Sequence, residues 1–79
     1  MTKEEFTQEI IQEFVEVGEK DINATTNFRN LDCWSSMFAL IIIAKIDELY
    51  DFLISAEDLK KANTIDDLYN IVQSQIKIS

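Results

Sequence analysis

The side chains that could act as nucleophiles stand close together in the middle of the chain: Cys33, Ser35 and Ser36. A serine or cysteine nucleophile ordinarily needs a neighbouring base, and the sequence contains no histidine. A Ser-His or Cys-His pair is therefore excluded, and we do not expect the chain to be an enzyme. A serine at the start of a helix can instead cap that helix or carry a phosphate ester, because unpaired backbone N–H groups there favour negative charge.

Carboxylates are abundant, but their spacing does not indicate a metal site. Glu57-Asp58 and Asp66-Asp67 lack the alternating Asp/Asn and Gly positions of a calcium loop. Cys33 is the only cysteine, so it cannot form a thiolate cluster or an internal disulfide. We predict no metal site, and a reducing cytoplasm is the simplest location for the chain.

Size and charge restrict the architecture and the partners. A chain of 79 residues is expected to form one domain, spanning 1–79. Seven Lys plus Arg against fifteen Asp plus Glu give a formal charge of −8, which disfavours nucleic acid and anionic membranes and favours basic partners. The longest apolar run, residues 37–44, is too short to span a membrane. The acidic start does not resemble a secretory signal.

The elements that must position these serines are helical. Apolar residues recur at helical spacing from residue 2 to about residue 17; they are Phe6, Ile10, Phe14 and Val17. Thr2 and Glu5 form a capping-box pattern, and Gly18 stands where a helix would end. A long polar loop follows, running to about residue 35.

Three further helices are predicted after this loop. The second begins near Ser35-Ser36, ends near Asp51 and is almost wholly apolar, which is typical of a buried helix. A short third helix begins after Ser55 and extends to about residue 62, and the last begins near Thr64. The predicted fold is all-α: a small bundle of three long helices and one short one, with a long first loop.

The start of the second helix resembles the attachment region of the acyl carrier protein family. That pattern is Phe, two residues, Leu, a short link often ending in Trp, then Asp-Ser-Leu; here it corresponds to Phe28, Leu31, Trp34, Ser35, Ser36 and Met37. Downstream, residues 46–50, Ile54-Ser55 and residues 64–68 also resemble the family in order and spacing. The resemblance implies the family's four-helix fold.

Two registers compete for the family serine, because Ser35 and Ser36 are adjacent. Trp34 favours Ser36, since residues 34–37 then fill the Trp-Asp-Ser-Leu places in turn. In this register the distance from Ser36 to Ile54 agrees with the family without a gap. The register that places Ser35 at the family serine is less favoured.

The resemblance implies a covalent cofactor and a set of enzyme partners. Ser36 would anchor 4′-phosphopantetheine taken from coenzyme A, installed by a phosphopantetheinyl transferase that uses magnesium. The thiol of that arm would hold an acyl or aminoacyl group as a thioester, loaded by a ligase and unloaded by a downstream transferase or synthase. A carrier that visits several partners is expected to be a monomer.

Two departures from the family pattern indicate a specialised carrier. Ser35 replaces the usual Asp, and Asp32 is the nearby residue that could supply the missing charge. Phe38 and Ile41 stand where carriers of bacterial fatty acid synthesis usually have acids. The predicted docking set is Asp32, Trp34, Met37, Phe38, Ile41, Asp47 and Glu48.

Alternative readings remain open for the same residues. Ser35 or Ser36 could simply cap the second helix, and Phe38 and Ile41 could be ordinary core residues. A carrier-like bundle could also act without modification, as an interaction module that docks a partner through Phe38 and Ile41. Cys33 is expected to be a half-buried apolar residue, and Trp34 to hold the loop against the bundle.

Overall fold

The computed structural model describes residues 1–76, and within them the regular elements are all helical. The four α-helices are α1 (Lys3–Glu16), α2 (Ser36–Tyr50), α3 (Ala56–Leu59) and α4 (Ile65–Ile76). A 3₁₀ turn, Phe28–Asn30, interrupts the long connection between α1 and α2. This is the predicted bundle of three long helices and one short one. The third helix ends earlier than expected, at Leu59 rather than near residue 62.

Local capping explains both ends of α1. The Thr2 hydroxyl accepts from the Glu5 N–H at 3.1 Å, and the Glu5 carboxylate accepts from the Thr2 N–H at 2.8 Å, which completes the predicted capping box. At the other end Gly18 adopts a φ of +94°, a conformation that glycine reaches without strain. The Gly18 and Glu19 N–H groups then donate to the carbonyls of Val15 and Phe14, as in a Schellman motif.

The core lies between one face of α1, one face of α2 and one face of α4. Its buried helical side chains recur at i, i+4 or i, i+3 spacing; they are Phe6, Ile10 and Phe14 on α1, Phe38, Ile42 and Ile46 on α2, and Ile65, Leu68 and Val72 on α4. The expectation that Val17 belongs to this stripe was wrong, because Val17 caps the helix and its side chain is exposed.

The long first loop is fastened to the start of α4. The Phe28 N–H donates to the Asn63 carbonyl at 3.0 Å, and the Asp66 N–H donates to the Ala24 carbonyl at 3.0 Å. Phe28 itself is buried against Phe14, with ring centroids 6.0 Å apart. These contacts fix the path by which the chain arrives at the N-terminus of α2.

Candidate functional site

The two adjacent serines at the start of α2 have different environments. Ser35 is the N-cap, with extended backbone angles, and its hydroxyl accepts from the Phe38 N–H at 3.1 Å. Ser36 is the first helical residue and is exposed, and its hydroxyl has no hydrogen-bond partner among the described residues. The capping alternative therefore applies to Ser35, whereas the oxygen of Ser36 is available for chemistry.

The backbone around Ser36 suits a negatively charged ester. The N–H groups of Ser36 and Met37 belong to the first turn of α2 and have no intrahelical acceptor. The helix dipole places partial positive charge at the same end. A phosphodiester on Ser36 would therefore lie in a favourable field, next to a rigid helix that fixes its base.

Aromatic side chains hold the loop before α2 against the helices. This loop, residues 28–35, is here called the attachment loop. The Trp34 ring stacks on Phe28 at a centroid distance of 4.6 Å and meets Phe38 edge-on at 5.9 Å. Phe38 also packs on Phe14 at 4.8 Å. Trp34 thus holds the loop against the bundle, as predicted.

The prediction that Phe38 docks a partner was wrong. Phe38 is only 3% exposed, because it shares the inward face of α2 with Ile42 and Ile46 and lies within the aromatic cluster. Ile41, in contrast, is 40% exposed. Lys45, which lies four residues after Ile41 on α2, is also partly covered, since its ammonium lies 3.0 Å from the Glu9 carboxylate on α1.

The exposed apolar residues of α2 form a different stripe, here called the outer face, made of Met37, Leu40, Ile41 and Ala44. Met37 is 74% and Leu40 64% exposed. The predicted docking acids Asp47 and Glu48 are exposed at the far end of the same helix, and Asp32 is exposed in the preceding loop. Leu40 and Ala44 were missed, because the run from residue 37 to 44 contains no polar residue to mark its outward side.

A groove opens beside Ser36, between α2 and α3, with a volume of about 430 Å³. Ser35, Ser36 and Trp34 line it together with residues that the sequence did not single out; these are Arg29, Ala39, Leu40, Ile43, Ala56, Leu59 and Lys60. Arg29 bridges the attachment loop to α3. Its Nε and Nη2 atoms donate to the carbonyls of Ala62 and Leu59, each at 2.7 Å, and its guanidinium lies 5.5 Å from the Trp34 ring centroid.

Cys33 is half-buried, three residues before Ser36. Burial raises the pKa of the Cys33 thiol, and the charge of Glu19 acts in the same direction. The protonated thiol is a poor nucleophile.

Residues 5–72 match a family model described as the phosphopantetheine attachment site. The chain belongs to this family. Its cofactor is 4′-phosphopantetheine, held covalently, and its role is that of a carrier. Carriers of the family are not catalysts themselves and interact with a phosphopantetheinyl transferase and with other enzymes. No curated protein and no solved structure matches the chain.

The residues of the carrier fit this cofactor. A phosphopantetheine arm needs an accessible hydroxyl, and Ser36 is exposed at a helix start. It also needs room beside the attachment point, which the groove between α2 and α3 offers. None of the helices within residues 1–76 has the length and apolar character required to cross a membrane.

Proposed function

We propose that this carrier bears its phosphopantetheine arm on Ser36 and transports an acyl or aminoacyl group as a thioester in a specialised pathway. The observation that carries this proposal is the contrast between the two serines. Ser35 is engaged as the N-cap, and the exposed hydroxyl of Ser36 is not engaged. This contrast supports the register in which Ser36 takes the family's serine place.

In this proposal Ser36 is an anchor and not a catalyst. Its hydroxyl oxygen bonds to the phosphorus of the pantetheine phosphate, the adenosine bisphosphate portion of coenzyme A leaves, and the transferase with its magnesium removes the hydroxyl proton. The first-turn N–H groups of α2 favour the resulting phosphodiester. The arm supplies the thiol on which the cargo is held.

The outer face of α2 is the surface that we propose for partner docking. Met37, Leu40 and Ile41 present apolar area next to the attachment point. Asp47 and Glu48, with Asp32 before the helix, add negative charge around it. A loading ligase and a downstream transferase or synthase would offer an apolar patch with basic residues at its margin. Phe38 and Trp34 support this surface from within.

We infer further that residues 1–79 act as one domain, as a monomer, in the cytoplasm. Support for one domain comes from the buried core, to which all four α-helices contribute. Support for a reducing location comes from Cys33, which is half-buried and has no second cysteine to pair with.

The test of attachment is intact-mass measurement after incubation with coenzyme A and a promiscuous phosphopantetheinyl transferase. We expect wild type and Ser35→Ala to gain one phosphopantetheine and Ser36→Ala to gain none. Ser35→Ala should lose about 1 kcal/mol of stability, because the cap is removed, yet it should still accept the arm. A wild type that gains nothing, or a gain that persists in Ser36→Ala, would disprove attachment at Ser36.

A second candidate function is an unmodified interaction module, and the exposed outer face of α2 favours it. With Phe38 buried, such a module would dock through Met37, Leu40 and Ile41. It predicts that the protein isolated from its natural cells has the mass of the bare chain. It also predicts partner binding that is lost in Leu40→Asp and retained in Ser36→Ala.

A further inference from the structure

Arg29 connects the attachment loop with the C-terminal end of α3. The α3 helix is a single turn of four residues, too short to be stable by itself in water. The carbonyls in the last turn of a helix have no intrahelical donors. The Arg29 Nε and Nη2 atoms donate to the carbonyls of Ala62 and Leu59, each at 2.7 Å, and so supply two charge-assisted hydrogen bonds at this end.

The same guanidinium lies beside the residue that precedes the two serines. It is 5.5 Å from the ring centroid of Trp34, and the Trp34 ring in turn stacks on Phe28 at 4.6 Å. Trp34 is followed directly by Ser35, which caps α2, and by Ser36. Arg29 therefore joins α3 to the start of α2. Its two hydrogen bonds and its contact with Trp34 are here called the Arg29 link.

The fold does not depend on the Arg29 link alone. A backbone hydrogen bond of 3.0 Å, from the Phe28 N–H to the Asn63 carbonyl, also joins the attachment loop to the chain after α3. The side chains of Phe28, Leu59 and Ala62 are buried in the core. A chain without the link would therefore keep the bundle, but it would hold the attachment loop and the end of α3 less rigidly.

We propose that Arg29 is a positioning residue for the modification of Ser36. Through the Arg29 link it holds the attachment loop and the first turn of α2 in the arrangement that the phosphopantetheinyl transferase binds. This inference rests on the proposed attachment at Ser36, and it adds a residue that acts through Trp34 and Ser35 rather than on the hydroxyl itself. Arginine is required because its planar fork reaches two carbonyls at once, which the single ammonium of a lysine cannot do.

The proposal predicts which kinetic constant changes when the link is lost. If only a fraction of the carrier molecules holds the loop in the binding arrangement, the apparent affinity for the transferase falls by that fraction, whereas the bound complex reacts as before. Loss of the link should therefore raise KM of the transferase for the carrier and leave kcat unchanged. A merely structural role would lower the stability of the fold and leave both constants of the folded protein as they are.

The test compares the full wild-type chain with Arg29→Gln, Arg29→Lys and Lys61→Gln. Urea unfolding first establishes a temperature at which all four proteins are fully folded. Acrylamide quenching of Trp34 fluorescence then reports on the attachment loop directly, because Trp34 is the only tryptophan. Kinetics with saturating coenzyme A and a promiscuous phosphopantetheinyl transferase give KM and kcat.

We expect Arg29→Gln to increase the quenching of Trp34 and to raise KM roughly three- to tenfold at unchanged kcat. Arg29→Lys should show most of the same increase in KM, because it keeps the charge without the fork. Lys61→Gln should match wild type in both measurements. It is the matched control, because it removes one positive charge beside Ala62 from a side chain that pairs with Asp58 at 3.5 Å instead of with the loop.

Two kinetic outcomes would overturn the proposal. A folded Arg29→Gln variant with the KM of wild type would show that the link does not serve the modification. Full recovery of KM in Arg29→Lys would show that the transferase responds to the charge and not to the link. Intact mass at the end of each reaction separates these results from a failure of attachment. If wild type gains no arm, or Ser36→Ala still gains one, the proposed function itself is wrong, and this inference with it.

Discussion

The hydroxyl oxygens of Ser35 and Ser36 differ in their hydrogen bonding. In the sequence, only the alignment with the family pattern distinguishes the two serines. In the proposed register Ser35 occupies the place where the family usually has Asp, and both side chains can accept a hydrogen bond at an N-cap. The bond to the Phe38 N–H keeps the capping function while the negative charge is lost. We infer that this substitution changes how a transferase recognises the carrier rather than how α2 begins.

A prediction at the residue scale concerns Asp51, which ends α2 in the left-handed region at a φ of +54°. Its negative charge is also at the C-terminal end of the helix dipole, where acids are unfavourable. We expect Asp51→Asn to stabilise the fold by roughly 0.5 kcal/mol at low salt, because Asn tolerates this conformation without the charge. Urea unfolding followed by circular dichroism would measure the change.

Asp21 supplies the matched control for that prediction. It has a similar φ of +61° but lies in the first loop, five residues after α1 ends at Glu16. Asp21→Asn should therefore change stability less than Asp51→Asn does. Equal effects at the two positions would show that the helix dipole is not the cause.

At the element scale, α2 shows where sequence patterns stop being informative. The starts of the helices and the end of α1 could be predicted because caps are local, as with Thr2, Ser55 and Gly18. Which face of α2 is buried could not be predicted, because residues 37–44 are all apolar and any face of such a helix could be buried. The buried face is determined by packing, because the Phe38 ring contacts Phe14 and Trp34 in the core.

Arg29 could not be identified from the sequence for a related reason. Its acceptors, the carbonyls of Leu59 and Ala62, are about thirty residues away along the chain. A single Arg in a polar loop carries no local signal of such a contact. Lys60 and the α3 walls of the groove were missed because they face Ser36 only once the bundle has formed.

The outer face of α2 yields a prediction about partner docking. We expect Leu40→Asp to lower kcat/KM of the phosphopantetheinyl transferase roughly tenfold, mainly through KM, if an apolar contact of about 1.4 kcal/mol is lost. Val15→Asp is the control, since Val15 is an exposed apolar residue on α1. Equal rates for wild type and Leu40→Asp would place docking elsewhere.

For the whole molecule, fifteen acids against seven basic residues make stability depend on pH. Burial raises the pKa of Glu13, and repulsion from Glu16 adds to it. An acid with a raised pKa binds its proton more tightly in the folded state, so its charged form opposes folding and stability rises as pH falls through that pKa. We expect Glu13→Gln to be more stable than wild type by roughly 0.2–0.5 kcal/mol near pH 7, with the difference vanishing in acid.

Glu5 should behave in the opposite way and so serves as a check on the sign. Its hydrogen bonds to Thr2, first of all the one from the Thr2 N–H, lower the pKa of Glu5, so its contribution to stability is lost as pH falls through that lowered value. Glu5→Gln should therefore be less stable than wild type near neutral pH, and the difference should shrink in acid. Urea unfolding of the three proteins across the pH range measures both trends. A Glu13→Gln variant less stable than wild type at neutral pH would contradict the account.

The central claim, that the arm is on Ser36, is tested most directly by locating the modification in the wild-type chain. Trypsin cuts after Arg29 and Lys45 and releases residues 30–45, which contain both candidate serines. Fragmentation of this peptide from transferase-treated protein should place the phosphopantetheine on Ser36. The same modification on Ser35, or an unmodified peptide after full incubation, would contradict the account.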